Sequence, residues 1–112
     1  MQITKDEGQM METMEWIQVQ AASGQEKTLE KELYGIVKDL RRKPETTGLL
    51  RADSFRHVSL PGCFLIVLVW ETKVSLHQGS IQGMNLKETM KTFGLVNHSV
   101  WINRDTSRYH HD

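Results

Sequence analysis

Apolar residues run without interruption from Phe64 to Trp70. A strand with one face in water would alternate apolar and polar positions, so this one is expected to be covered on both faces. The run is far too short to cross a bilayer as a helix. Residues 15–21 do alternate, with Ile17, Val19 and Ala21 on one side and Trp16, Gln18 and Gln20 on the other, which predicts an earlier strand. Ser23 followed by Glu26 reads as a helix start, with Ser23 as cap and Glu26 completing a capping box. Leu29, Leu33, Ile36, Val37 and Leu40 then recur at helical spacing to about Arg42, before Pro44 and Gly48 interrupt the pattern. A less apolar strand is predicted over 49–60, closed by Pro61-Gly62, and the apolar strand over 63–71. Gly79 and Gly83 place a loop or short turn ahead of a helix over 84–93, for which Gly94 is the stop. A last strand covers 95–102. Residues 1–14 and 103–112 lack periodicity and are expected to be extensions of a domain spanning 15–102.

The order strand, helix, strand, strand, helix, strand predicts a ferredoxin-like α+β fold, with both helices on one face of a four-stranded antiparallel sheet. Its other face has no cover from the same chain. Leu65, Val67 and Val69 are as apolar as Phe64, Ile66 and Leu68, and an apolar patch of that kind calls for a partner. A homodimer closed face to face is the expectation. With 112 residues the chain is long enough for one core without staples. Fourteen bases balance fourteen acids, so no overall field draws the protein to nucleic acid or an anionic membrane. The densest basic stretch, Lys38 to Lys43, reads as the solvated end of the first helix. One cysteine, Cys63, excludes an internal disulfide and a cysteine-built zinc site. The five histidines show no ligand spacing beside a carboxylate, so no metal is expected, and Tyr109-His-His-Asp112 reads as solvated tail. Residues 1–13 have no basic start followed by an apolar core, so no signal peptide and a cytoplasmic location are expected.

The segments Gly48-Leu-Leu50, Pro61 to Thr72, His77-Gln-Gly-Ser80 and Gly94 to Trp101 resemble, in that order, the antibiotic biosynthesis monooxygenase domain. The resemblance covers about residues 15–102. It implies a dimeric α/β barrel in which two ferredoxin-like sheets pack together. Some members of that family oxidise phenols, anthrones or quinols with molecular oxygen and neither metal nor flavin; others degrade haem or act on small signalling molecules. The leading expectation is therefore a cofactor-independent monooxygenase acting on a small aromatic, phenolic or quinol compound. The rival is a non-catalytic module that binds a small molecule, or a partner, on the same fold.

The resemblance assigns Trp70 to the strand-end tryptophan that lines the family's cavity, and His77 to the histidine of its His-x-x-Ser step. Trp70 and His77 are the catalytic candidates: an indole N–H to hold a substrate oxygen, and an imidazole to accept a proton. Each has a plain structural alternative, a core tryptophan and a loop histidine. Phe64, Ile66 and Leu68 share the Trp70 side of the strand and are candidates for the apolar wall of a pocket. His98 and Trp101 have opposite parity on the last strand, so one faces the helices and the other the dimer partner. Both are candidate ligand contacts, as is Tyr34, whose phenol rises from the first helix. Arg56 and His57 leave the same question of face open, and Ser80 reads as a helix cap. Two departures from the family stand out. Ile66 occupies the place of an asparagine that binds substrate oxygen in the polyketide oxygenases. The first strand offers Gln18 and Gln20 where the haem-degrading branch carries asparagine, and residues 84–93 hold no histidine, which disfavours haem chemistry.

Overall fold

The computed structural model describes residues 10–43, 48–73 and 76–105. Along the chain they form β1 (Met11–Ala21), α1 (Glu26–Arg42), β2 (Leu49–Arg56), β3 (Cys63–Thr72), α2 (Ile81–Met90) and β4 (Gly94–Ile102). The sheet is antiparallel with strand order β2-β3-β1-β4, which is the ferredoxin-like arrangement predicted. The apolar strand β3 and the alternating strand β1 are its two central members.

Both helices lie on one face. Leu29, Leu33 and Val37 of α1 and Leu86 and Met90 of α2 close over Ile17, Val19, Phe64, Ile66, Leu68 and Trp70 in a single core. Cross-strand register places Trp16, Val67, Val69, Leu65, Phe55, Leu95 and Trp101 on the opposite face. There Val67 is only 7 % exposed, whereas the flanking Trp101 is 54 % exposed. Trp16 and Trp101 stack at a tilt, ring centroids 5.9 Å apart. Much of the cover over the central strand on this face therefore comes from long neighbouring side chains of the same sheet, and the apolar surface left open belongs to those neighbours.

Several boundaries differ from the sequence reading, each for a physical reason. β1 begins at Met11, not at residue 15, because its inward positions there, Thr13 and Glu15, are polar and hide the alternation. α1 has no capping box: Gln25 is the N-cap and makes no side-chain bond to the helix. Glu26 remains in the first turn, where a carboxylate suits the positive end of the helix dipole. The basic end of α1 is not simply solvated, since Arg41 donates to the carbonyl of Ala52 at 2.8 Å and to Asp53 at 2.6 Å, tying α1 to β2. β2 stops at Arg56. The turn that follows is organised by His57, whose Nδ1 accepts from the backbone N–H groups of Ser59 and Leu60, both at 3.0 Å. α2 begins at Ile81, three residues before its predicted start, and Gly94 opens β4 in place of stopping the helix. Pro44 and residues 109–112 lie outside the described residues. No described helix is long and apolar enough to cross a membrane.

Candidate active site

The helix-facing side of the sheet is apolar except at one place. β1 puts Thr13 and Glu15 on the same face as Ile17 and Val19, and Glu15 is 0 % exposed. An isolated buried carboxylate costs several kcal/mol, roughly, unless it is met by donors. Glu15 is met by four. Its Oε1 accepts from the indole Nε1–H of Trp70 at 2.7 Å and from the hydroxyl of Ser80 at 2.5 Å. Its Oε2 accepts from the backbone N–H of Ser80 at 2.8 Å and lies 3.0 Å from Nε2 of His98. Three of these contacts are donors by their chemistry, the complement an acceptor-only carboxylate requires. A carboxylate beside Nε2 places the imidazole proton on that nitrogen.

Four elements or their flanks hold the cluster. Glu15 comes from β1, Trp70 from the end of β3, Ser80 from the start of α2 and His98 from β4. Ser80 does two jobs: its hydroxyl accepts from the N–H of Gly83 at 2.9 Å, capping α2, while donating to Glu15. Ser80 N–H and the carboxylate thus meet at a helix N-terminus, where negative charge is favoured. The two glycines that seemed to punctuate the sequence serve this contact. A Cβ on Gly83 would collide with the Glu15 carboxylate, and one on Gly79 would stand 2.6 Å from both Glu15 Oε2 and His98 Cε1. Gly79 also has φ +101°, a conformation open mainly to glycine.

The predicted site residues divide. Trp70 and His98 are joined through Glu15, and Phe64, Ile66 and Leu68 lie in the apolar core on the same face. His77 sits exposed in the turn between β3 and α2 and is not among the groups that bond Glu15. Trp101 is on the opposite face of the sheet. Tyr34 is exposed on α1, with the Lys38 ammonium 5.9 Å from its ring centroid. Arg56 and His57 are exposed at the end of β2 and in the turn beyond it. Sequence reasoning missed Glu15. The one signal available was its parity, shared with Ile17 and Val19, which places an acid on the covered face of a central strand.

Two larger cavities lie apart from the cluster. A groove of about 360 Å³ runs between the helices, with Ile36, Leu40 and Leu86 as its apolar lining and Glu32, Lys43 and Asn85 among its polar groups. Another of about 360 Å³ lies on the open face, lined by Trp16, Phe55, Cys63 and Leu65 among others. Among the described residues, no three His, Cys, Asp or Glu side chains gather as a metal site would require.

No protein-family model and no curated protein matches the chain. Solved structures do. Rv0793 from Mycobacterium tuberculosis superposes with a TM-score of 0.63 at 14 % identity, over 84 % of this chain and 96 % of that one. SO0527 from Shewanella oneidensis gives 0.64 at 12 %, over 83 % and 91 %. A structure named as an antibiotic biosynthesis monooxygenase gives 0.58 at 15 %, over 81 % and 95 %. At such identities the likeness is one of fold: the chain is built like antibiotic biosynthesis monooxygenase proteins across most of its length.

Proposed function

We propose that this chain is a homodimeric, cofactor-independent oxygenase acting on a small phenolic or quinol compound. The observation that carries the reading is the Glu15 cluster: a carboxylate, an imidazole, a hydroxyl and an indole N–H converging in an otherwise apolar interior. Oxygenation without a cofactor needs an electron-rich substrate that first gives up a proton and then an electron to oxygen. The protein's share is to hold the ring, assist the proton's departure and stabilise the anion left behind. Polar groups fixed in advance in a water-poor setting suit that task. The likeness of fold to a protein named as a monooxygenase supports the same reading. The exposed aromatic residues of the open face supply the apolar surface for the dimer.

A second reading is a non-catalytic small-molecule-binding module. It is favoured by the Trp70 indole N–H, which is engaged by Glu15 and so is not free to hold a substrate oxygen. The inter-helix groove, with its apolar lining and polar groups, would then be the ligand site.

Oxygen uptake by the metal-stripped protein against quinols, anthrones and naphthols separates the two. Protein-dependent uptake with at least one of them is the expected result, with His77→Ala run alongside to test the histidine that the family resemblance nominates. Binding without uptake across the panel would overturn the oxygenase in favour of the binding module.

A further inference from the structure

Glu15 and His98 form a pair whose geometry says more than that a charge is satisfied. His98 approaches Glu15 through Nε2 at 3.0 Å, and its side chain is 8 % exposed. Among the described residues, none hydrogen-bonds its other ring nitrogen, Nδ1. Nor is that atom sealed: among the described residues, the side-chain nitrogen or oxygen both sealed from solvent and without a partner is Thr13 Oγ1. Nδ1 therefore keeps contact with solvent on the edge strand β4. Since the carboxylate holds the proton on Nε2, Nδ1 carries the lone pair. A histidine whose far nitrogen is fixed by a buried acid is oriented, locked in one tautomer and ready to be stabilised as an imidazolium.

Glu15 is itself anchored independently of His98. Trp70, the Ser80 hydroxyl and the Ser80 N–H hold both of its oxygens, and the absence of side chains at Gly79 and Gly83 lets the acid come that close. The imidazole thus meets a preset partner.

We propose that His98, positioned by Glu15, is the general base of this site and takes the hydroxyl proton of a phenol, quinol or enol. The proposal rests on the small-molecule reading above, and moves the base from His77 to His98. The substrate O–H bond breaks and an N–H bond forms at Nδ1; the O–H electron pair stays on the substrate as a phenolate or enolate. The Nε2 proton stays on the ring, hydrogen-bonded to Glu15, whose negative charge offsets the imidazolium. Neither oxidant nor reductant enters this step. His98 is then a catalytic residue and Glu15 a positioning one.

The test uses 1-naphthol as probe, on the full-length protein under argon, with His98→Gln for comparison. Glutamine can still donate to Glu15, so the variant is expected to keep its fold and melting temperature while losing the base. Long-range proton–nitrogen spectra of the wild type should show His98 protonated at Nε2 and bare at Nδ1. Bound 1-naphthol should show the ultraviolet spectrum of the naphtholate with wild type and not with His98→Gln. When oxygen is admitted, any uptake should fall about 100-fold or more in the variant. Protonation at Nδ1, naphthol that stays neutral on the wild type, or naphtholate formed equally by His98→Gln would each overturn the proposal. The outcomes also separate it from the oxygenase reading. Naphtholate without oxygen uptake leaves the base standing and removes the oxygenase; uptake that survives in His98→Gln does the reverse.

Discussion

At the scale of single residues, the core of this protein is decided by a polar side chain. Glu15 is fully buried yet acceptor to Trp70, Ser80 and His98, so its removal strands several donors at once. Glu15→Gln keeps the shape but turns one acceptor oxygen into an NH2 group facing an N–H or O–H donor. Its expected cost is about 3 kcal/mol, read from urea denaturation. A loss below about 0.5 kcal/mol would mean that the carboxylate is not bonded as described. Two residues earlier, Thr13 gives the opposite case. It is 1 % exposed and its hydroxyl has no partner among the described residues, so it bears a desolvation cost with no bond from them in return. Thr13→Val should leave stability unchanged or raise it by about 1 kcal/mol; a clear loss would reveal a partner for the hydroxyl. Nothing local distinguishes these two residues in the sequence. Both are polar positions on the inward parity of β1, and only what stands opposite each one makes Glu15 a hub and Thr13 an orphan.

At the scale of elements, most of the plan was legible, and the errors cluster where polar burial interferes. The long helix α1 announced itself through Leu29, Leu33 and Val37, all buried, because burial at a 3.6-residue period is a strong local signal. α2 did not. Gly83 looked like a breaker and lies inside the helix, two residues from its start. Glycine in a helix normally costs about 1 kcal/mol relative to alanine, so Gly83→Ala would ordinarily stabilise. Here the added methyl would meet Glu15, and the sign should reverse, with a loss of about 1–3 kcal/mol. Thermal denaturation of Gly83→Ala and of Gly83→Ala with Glu15→Ala checks the cause. The two changes should cost less together than the sum of each alone, since deleting the carboxylate makes room for the methyl. Strict additivity would show that the glycine serves something else.

At the scale of the whole molecule, the open face is the surface on which the proposed dimer would close. Val67 and Val69 are already covered, while Trp101, Phe55 and Leu95 remain exposed beside them. Light scattering should find a dimer at micromolar concentration. Trp101→Lys should give a monomer whose melting temperature is little changed, because that side chain is mostly exposed on the single chain. A monomeric wild type would end the dimer proposal. Element order, the buried faces of β1, α1 and β3, and the ferredoxin-like plan follow from the sequence by itself, because hydrophobic periodicity is local and each residue carries its own share of it. The polar cluster does not. Trp70, Ser80 and His98 stand 55, 65 and 83 residues from Glu15 along the chain, and no spacing marks them as partners. Whether a buried acid is stabilised depends on which donors the sheet and α2 bring to within about 3 Å of it. Only the tertiary structure decides that, and with it which of the histidines faces a carboxylate and which faces water.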